Sequence, residues 1–372
     1  MSKVVYLMGA GASRGIRGRV ADGEEYSSSI VEGLPIVREI PQRLEKIADL
    51  YASFNFDEGA RYEKDTVSVD LGRAKNNLVE GLHWLRVNTE KTTIDTFAKQ
   101  LFLTEQIDDY IKLKRLLSIF LLTEQLINRP DSRYVNFLTS VLQRNADGKL
   151  RITDDITILT WNYDSQIEIA YKYFVTTGSN PEDIRFPEQL RIDIHNSYNT
   201  KKQVPDFPDD GKRQIFKING SASFLADYSM AHYHSYKDGN LAENIAKTIL
   251  WTYDASYYIG AERPERMCLL NFAWDKQDVK FEKEYSHRLQ DAIKDATALV
   301  IIGYTFPFFN RETDTLLLKG MPNLKNVYIQ DPFPKNVRQF FIPVMQKSGL
   351  GIDVNNIQLF DNTTQFFLPP EL

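Results

Sequence analysis

Short apolar runs that end in polar or glycine-containing corners recur along the chain. Each run has four or five residues and is rich in β-branched or aromatic side chains, which is typical of strands that are buried on both faces. Helical stretches separate the runs. This alternation predicts an α/β fold built on a doubly wound parallel sheet. The runs are Val4 to Met8, Ile156 to Thr160, Gln214 to Ile218, Ala298 to Ile302, Asn326 to Ile329 and Ile357 to Phe360.

Helical periodicity dominates the segment from about residue 38 to residue 145. Its clearest part runs from Thr96 to Ile127, where apolar residues recur at helical spacing and predict a buried helix. Residues 178–210 have the composition of a loop, and 222–290 have no clean period. We therefore expect a sheet domain formed by residues 1–40 and 150–372, with 222–290 as a candidate smaller insertion, and a helical insertion over 41–149.

The first apolar run ends in Gly9-Ala10-Gly11-Ala12-Ser13. Glycines let a ligand approach the backbone closely, and a helix starting there would direct free N–H groups at a phosphate or pyrophosphate. Arg14 stands where a dehydrogenase fingerprint has its third glycine, and no Gly-Lys-Ser/Thr of a P-loop follows, so both of those classes are disfavoured. The alternative is that the two glycines serve packing only.

Polar corners also follow the later strands. Because the carboxyl ends of parallel strands meet at one edge of a sheet, we expect these corners to line one crevice. Two of their residues also have structural interpretations, since Asp164 can cap the next helix and Asn219 can be a turn residue. The corners contain Thr160, Asn162 and Asp164 after the second run, Asn219, Gly220 and Ser221 after the third, Gly303 and Thr305 after the fourth, and Asp331 after the fifth.

Composition narrows the classes of function. The net charge of −5 over 372 residues gives no broad basic surface, so direct nucleic-acid binding is not expected. Cys268 is the only cysteine, which rules out internal disulfides and a cysteine-rich zinc site. No apolar run approaches the roughly 18 residues of a membrane span, and the first run is shorter than the apolar core of a signal peptide. We expect a cytoplasmic protein that does not associate with membranes.

In order, the corners are Gly-Ala-Gly-Ala-Ser, Gly33-Leu34-Pro35, Thr-Trp-Asn-Tyr-Asp, Lys-Ile-Asn-Gly-Ser and Gly-Tyr-Thr-Phe-Pro. This series resembles the sirtuin (silent information regulator) family, and more closely the sirtuin-like proteins of bacterial antiphage defence systems. Each motif is short, but their order over most of the chain is specific. The resemblance implies a Rossmann-like NAD-binding domain with a mainly helical insertion.

The resemblance also implies roles for single residues. It implies that Gly9 to Ser13 lie around the pyrophosphate of NAD and that Pro35 lies near its nicotinamide end. Residues Asn162 and Asp164 would lie at the nicotinamide ribose, with Thr160, Gly220 and Ser221 in the adjoining corners. The same likeness implies that Gly303 and Thr305 meet the phosphates and that Asp331 meets the adenosine ribose.

Two departures from the family pattern bear on function. The protein deacylases carry a four-cysteine zinc module, which this chain lacks, whereas the similar defence proteins hydrolyse NAD. We therefore expect an NAD glycohydrolase that uses NAD as its substrate and no zinc. The family's catalytic histidine is replaced by Asn219, so the alternative is a non-catalytic scaffold that binds NAD or another nucleotide. His232 or His234 substituting for the missing histidine is a further hypothesis.

The same resemblance also implies which partners the protein has. A toxic NAD hydrolase must be held inactive until infection, so we expect a homo-oligomer and control by a separate protein. The relatives of similar size that it most resembles are paired with a HerA-type hexameric ATPase. Whether the substrate is NAD or NADP stays open, because arginines at 14, 17 and 19 suit a 2′-phosphate and equally suit a solvated loop.

Overall fold

The computed structural model describes residues 3–15, 33–64, 67–128, 130–146, 148–175, 189–195, 212–224, 241–259, 268–275 and 279–372. The chain divides into two compact units. The first consists of Met1–Gly18, Asp131–Gly220 and Asn271–Leu372, and the second of Arg19–Pro130 and Ser221–Leu270. Residues 131–149 thus belong to the first unit, and residues 221–270 belong to the second.

The described strands and helices are numbered here in chain order. The strands are β1 (Lys3–Met8), β2 (Arg61–Lys64), β3 (Val67–Asp70), β4 (Leu142–Arg144), β5 (Leu150–Ile152), β6 (Ile156–Thr160), β7 (Ile192–Ile194), β8 (Ile215–Lys217), β9 (Gly220–Phe224), β10 (Cys268–Leu270), β11 (Ala296–Ile302), β12 (Asn326–Gln330) and β13 (Ile357–Phe360). The helices are α1 (Ile40–Ala52), α2 (Leu71–Thr89), α3 (Ile94–Leu103), α4 (Ile107–Ile127), α5 (Ser132–Val141), α6 (Gln166–Val175), α7 (Glu243–Ile259), α8 (Val279–Ile293), α9 (Arg311–Lys319) and α10 (Pro334–Ser348).

A seven-stranded parallel sheet forms the centre of the first unit, in the order β13-β12-β11-β1-β6-β8-β7. The chain places β6 on one side of β1 and later places β11 on the other side. The strand order therefore reverses at β1, which is the topological switch point of a doubly wound sheet. This topology confirms the predicted α/β class and is consistent with a Rossmann-like fold.

The register brings the strand ends to one level. Met8 pairs with both Thr160 and Ile302, while Ile302 pairs with Gln330 and Thr160 pairs with Lys217. The loops that follow five neighbouring strands therefore start side by side at the carboxyl edge of the sheet. With strands about 4.8 Å apart, these five loops span about 19 Å.

Helices cover the sheet, so its strands are apolar on both faces. The residues of β1 from Val4 to Met8 and those of β11 from Ala298 to Ile302 are at most 3% exposed. Complete burial of one such aliphatic side chain stabilises the fold by about 1.5–3 kcal/mol. A continuous apolar cluster joins these strands to α8, α9 and α10. The rigid core thus holds the strand ends in fixed positions.

The second unit is mainly helical, with α1 to α4 and α7, and contains the antiparallel hairpin β2–β3 and the β9–β10 pair. Helix α4 is buried along most of its length, and its buried Glu124 is bonded by Arg43 and by the Asn128 side chain. Cys268 is buried, with its Sγ 3.2 Å from the Ser118 hydroxyl.

Three local predictions were wrong. The helix predicted from Thr96 to Ile127 is two helices, because Glu105 adopts a left-handed backbone (φ 57°) that ends α3 without a glycine or proline. The charged stretch from Phe56 to Asn77, predicted from its weak periodicity to be a loop or a solvated helix, contains the hairpin β2–β3 and the start of α2. The predicted loop at 178–210 contains β7. Among the described residues, no helix is long and apolar enough to cross a membrane.

Candidate functional site

The glycine turn after β1 packs directly against the corner after β11. The Gly9 N–H donates to Ile302 O and the Gly11 N–H donates to Gly303 O, both at 3.0 Å. A Cβ atom on Gly303 would lie 2.5 Å from the Ala12 nitrogen, and Gly303 has a φ of 58°. The glycines therefore allow backbone contact between two loops at the switch point, as the packing interpretation of this motif predicts.

This contact also uses donors of the turn. Besides Gly9 and Gly11, Ala12 donates its N–H to Gly9 O at 2.8 Å, within a 3₁₀ turn over Ala10–Ser13. These three N–H groups are committed to carbonyls of the protein rather than free for a phosphate. The contact of Gly9 to Ser13 with a pyrophosphate stays a prediction. The hydrogen bonds within the protein make this turn rigid.

The Ser13 hydroxyl is the centre of a buried hydrogen-bond network. It accepts from the Asn162 Nδ2 at 3.0 Å, lies 2.9 Å from the Tyr134 hydroxyl, and donates to the Asp164 carboxylate. A hydroxyl has one hydrogen and two lone pairs, so these three bonds saturate it, with Tyr134 as a donor. Ser13 therefore positions Asp164 and Asn162, a role that the sequence did not indicate.

Asn162 is held in one orientation. Both hydrogens of its Nδ2 are used, one on Gly9 O at 2.9 Å and one on the Ser13 hydroxyl, and its main-chain N–H donates to Thr160 Oγ1 at 3.0 Å. Because a carbonyl can only accept, the amide cannot be turned over. Its Oδ1 has no partner among the described residues, so Asn162 offers a hydrogen-bond acceptor at the sheet edge.

Asp164 lies half-buried at the start of α6. Its Oδ1 accepts from the Gln166 N–H at 3.0 Å, so it does cap the helix. Burial raises the pKa of this carboxyl above its ordinary value, while hydrogen bonds from Ser13 and Gln166 and the Lys217 charge oppose that rise. Ser13 and Gln166 together hold the carboxylate at the corner that also carries Asn162.

A buried ion pair supports this corner from the next strand. Lys217, at the end of β8, pairs with Glu168 of α6 at 2.6 Å, and both side chains are 1% exposed. The same ammonium donates to the main-chain carbonyl of Asp164 at 2.7 Å. Lys217 thus links β8, α6 and the corner that carries Asn162 and Asp164.

The start of α5 completes the network, and no prediction was made for its residues. Arg133 is 3% exposed; it pairs with Asp131 at 2.6 Å and donates to the carbonyls of Gly11 and Ala12 at 3.3 and 3.1 Å. Asp131 also accepts from the Gly15 N–H at 3.0 Å. The available signal was Asp131-Ser132, a helix-capping pair that places the next residues on a first turn.

Asn219 follows β8 and stands beside Tyr163. Its Nδ2 lies 3.4 Å from the Tyr163 hydroxyl, and its main-chain carbonyl accepts from the Asn271 N–H at 2.8 Å. Its Oδ1 is buried and has no hydrogen-bond partner among the residues that the structure describes. Gly220, the next residue, has a φ of 76°, which favours glycine at this corner.

The corner after β11 rests on a buried aromatic and acidic cluster. The Tyr304 ring stacks on Trp161 at 5.8 Å, and its hydroxyl donates to the Asp314 carboxyl at 2.8 Å. Burial raises the pKa of Asp314 to about 8, against the opposing effect of the Tyr304 hydrogen bond. Thr305 is exposed, and Phe306 is held at φ 52°. The cluster therefore fixes Gly303 while Thr305 remains accessible.

Asp331 follows β12, next to a cavity of about 410 Å³ lined by Pro332, Phe333, Pro334, Lys335, Asn336, Leu359 and Asp361. Its Oδ1 accepts from the Phe333 N–H at 2.8 Å, and burial raises its pKa. The cavity falls within the size range of small-ligand sites. One Asp331 oxygen is thus used in the turn, and the lining of the cavity begins at the next residue, Pro332.

The sheet edge therefore brings together Gly9 to Ser13, Thr160, Asn162, Asp164, Asn219, Gly220, Gly303, Thr305 and Asp331, all within the first unit. Pro35 and Ser221 belong to the second unit, and their places at the ligand stay predictions. Arg17, Arg19, His232 and His234 lie outside the described residues.

Within the described part of the chain, no group of three His, Cys, Asp or Glu side chains is placed to hold a metal ion. The chain matches no protein-family model, and no curated protein matches it at a significant level.

Proposed function

We propose that this chain is an NAD glycohydrolase that cleaves the bond between nicotinamide and ribose. One observation carries the proposal: Asn162 and Asp164 are locked together through Ser13 at the switch point of a parallel sheet, where open α/β folds bind ligands. The five corners span about 19 Å, which suits an elongated dinucleotide. The cavity beside Asp331 suits its adenosine end.

The chemistry fits these groups. Cleavage of NAD by water gives nicotinamide, ADP-ribose and one proton, through a transition state with positive charge on the ribose. The leaving nicotinamide departs as a neutral molecule and needs no acid. The Asn162 Oδ1 would accept a hydrogen bond from the attacking water, and the Asp164 carboxylate would stabilise the positive charge.

The biological setting is part of the proposal and rests on the resemblance alone. NAD depletion would serve as the effector step of an antiphage defence system, with a homo-oligomer and a HerA-type ATPase controlling it. The proposal fails here if the purified chain, with and without the product of its neighbouring gene, is a single-species monomer that forms no complex.

A scaffold that binds NAD or another nucleotide without cleaving it is the second candidate. Asn219 favours it, because an asparagine amide cannot take a proton from a ribose hydroxyl as a histidine would. The loss of a catalytic base typically costs about 10²–10⁴ in rate. Both candidate functions require binding of the nucleotide, but only the glycohydrolase would release nicotinamide.

The test is nicotinamide release from NAD, measured by chromatography with the purified protein alone and with its neighbouring gene product. We expect release from the wild type and a fall of about 10²–10³ in Asn162→Ala, which loses the oriented acceptor. Asn323→Ala, an exposed asparagine in the loop before β12, serves as the matched control and should match the wild type. Binding of NAD without release in any arm would favour the scaffold.

A further inference from the structure

Gln330 is the last residue of β12, and its buried side chain binds an irregular segment that follows β13. The Gln330 Nε2 donates to Asn362 O at 2.7 Å and to Gln365 O at 2.6 Å. Its Oε1 accepts from the Phe367 N–H at 2.9 Å. Both hydrogens and one lone pair of the amide are therefore used on main-chain groups of residues 362–367. The side chain clamps this segment to the carboxyl edge of the sheet.

Further hydrogen bonds fix the conformation of residues 362–367. The Asn362 Oδ1 accepts from the Thr364 N–H at 3.0 Å, which closes a turn within the segment. At the other end, the Tyr6 hydroxyl of β1 donates to Phe367 O at 3.1 Å. Because the main chain is bonded at both ends, the side chains between them are presented in fixed positions.

Phe366 brings the segment into contact with the start of α5. The residue is 6% exposed, and its ring meets the Tyr134 ring edge to face at a centroid distance of 4.9 Å. The Arg133 Cζ lies 5.1 Å from the centre of the Phe366 ring, and the Arg133 Nη1 donates to Thr363 O at 3.1 Å. The segment thus contacts the two α5 residues that reach the glycine turn and Ser13.

The contacts continue from Tyr134 to the corner that carries Asn162 and Asp164. The Tyr134 hydroxyl lies 2.9 Å from the hydroxyl of Ser13, which accepts from Asn162 and donates to Asp164. A phenol hydroxyl is rigidly attached to its ring, so the position of the ring decides whether the hydroxyl reaches Ser13. Loss of the Phe366 ring removes a neighbour on one side of Tyr134 and frees its ring to tilt.

We propose that Phe366 is a positioning residue for the candidate site. It acts through Tyr134, and Gln330 holds it in place by clamping residues 362–367. As a statement about catalysis, the inference rests on the proposed glycohydrolase and adds two residues to it that need not touch the substrate. A small displacement of reacting groups, caused far from the chemistry, is enough to lower a rate severalfold or more.

The first test is the kinetics of nicotinamide release in Phe366→Leu, which removes the ring and keeps an apolar side chain. We expect kcat to fall about tenfold with little change in KM, because the ring acts on the geometry of the reacting groups. In a Tyr134→Phe background the same change should lower kcat by less than about twofold, since the hydroxyl through which Phe366 acts is already absent. Gln330→Met, which removes the clamp at similar volume, should give the same pattern in both backgrounds.

The second test needs no substrate. Amide hydrogen exchange over residues 9–15, followed by mass spectrometry, reports on the turn whose carbonyls Arg133 binds. We expect exchange there to be about tenfold faster in Phe366→Leu than in the wild type, because local opening becomes easier. Phe97→Leu is the matched control. It removes a buried ring that packs on Trp84 at 5.5 Å in the second unit, and it should keep the wild-type exchange and kcat.

The outcomes separate the two proposals. Unchanged exchange in Phe366→Leu, or equal falls in kcat in the wild-type and Tyr134→Phe backgrounds, would overturn the positioning role. An equal rise in exchange in Phe97→Leu would assign the effect to general destabilisation and would overturn it as well. Faster exchange in Phe366→Leu alone, in a protein that releases no nicotinamide, would support the positioning of the corner and remove the glycohydrolase.

Discussion

Asn162 and Asn219 follow neighbouring parallel strands, and their amides stand in opposite situations. Both hydrogens of the Asn162 amide are bonded to the protein, to Gly9 O and to the Ser13 hydroxyl. Among the residues that the structure describes, the Asn219 amide has a single long contact, with Tyr163, and an oxygen without a partner. The amide of one corner is satisfied by the protein itself, and the amide of the other keeps an oxygen without a described partner.

The difference separates two uses of a buried polar group. A polar group whose hydrogen-bond donors are all used within the protein is held in one orientation. Its substitution therefore removes hydrogen bonds from its neighbours and disturbs their positions. An unpaired group lowers stability in the empty protein and repays that cost when a ligand binds. Lys217→Met and Tyr134→Phe act on the saturated corner, and Asp314→Asn acts on the neighbouring corner after β11; the changes are ordered from the largest expected effect to the smallest.

Lys217→Met removes the cation under the saturated corner. The change leaves the buried Glu168 without its Lys217 partner, so it should lower the free energy of unfolding by about 3–5 kcal/mol, as measured by urea denaturation. The double variant Lys217→Met with Glu168→Leu removes both charges and should recover most of that loss. A loss below about 1 kcal/mol in the single variant would show that the pair does not hold this corner.

Asp314→Asn tests the cluster beneath the corner after β11. The folded protein holds the Asp314 pKa at about 8, so between the ordinary pKa and about pH 8 it binds more protons here than the unfolded chain does. The stability that Asp314 contributes is therefore complete at low pH and is lost as the pH rises toward 8. Asparagine does not titrate, so the variant's free energy of unfolding should not fall in this way. Relative to that of the wild type, it should rise by about 2 kcal/mol between pH 6 and pH 8.

Unfolding free energies measured across that pH range decide the Asp314 prediction. Glu312→Gln removes an exposed carboxyl from the first turn of the same helix and should follow the wild-type curve. Parallel curves for Asp314→Asn and the wild type would mean that Asp314 is ionised throughout and that the cluster is not held by a neutral acid.

Tyr134→Phe removes one hydroxyl from the saturated network. Ser13 loses a donor, its own hydrogen bond to Asp164 weakens, and the pKa of that carboxylate rises further. We expect the kcat of nicotinamide release to fall about tenfold with little change in KM. In the pH–rate profile, the fall in rate on the acidic side should move to higher pH. Tyr171→Phe, which removes a buried hydroxyl bonded to Leu150 O, should leave the profile unchanged. An unchanged profile in both variants would remove Tyr134 from the site.

Much of the sheet could be predicted from the sequence, because strands buried on both faces require continuous apolar runs such as Val4 to Met8. The three-residue strand β7 is too short for such a run. Strand β2 of the β2–β3 hairpin is partly exposed and carries three charged residues. The end of α3 at Glu105 carries no glycine or proline. These elements depend on tertiary contacts that local patterns do not encode.

Some residues of the candidate site could likewise be predicted from the sequence and others could not. Corners that follow strands could be predicted, because parallel strands bring their ends to one edge. Arg133, Tyr134 and Asp314 could not, since they lie on helices and reach the edge through the fold. The sequence also could not distinguish a glycine that frees space for a ligand from one that packs on another loop, as Gly303 does.

The most direct test of the contrast is the free energy of unfolding of Asn162→Leu and Asn219→Leu in the absence of ligand. Asn162→Leu removes the two hydrogen bonds that the Asn162 amide donates, to Gly9 O and to the Ser13 hydroxyl, and should cost about 1–3 kcal/mol. Asn219→Leu removes an unpaired atom and should cost less than about 1 kcal/mol or raise stability. Equal losses in the two variants would show that the Asn219 amide is satisfied within the protein and would contradict the account.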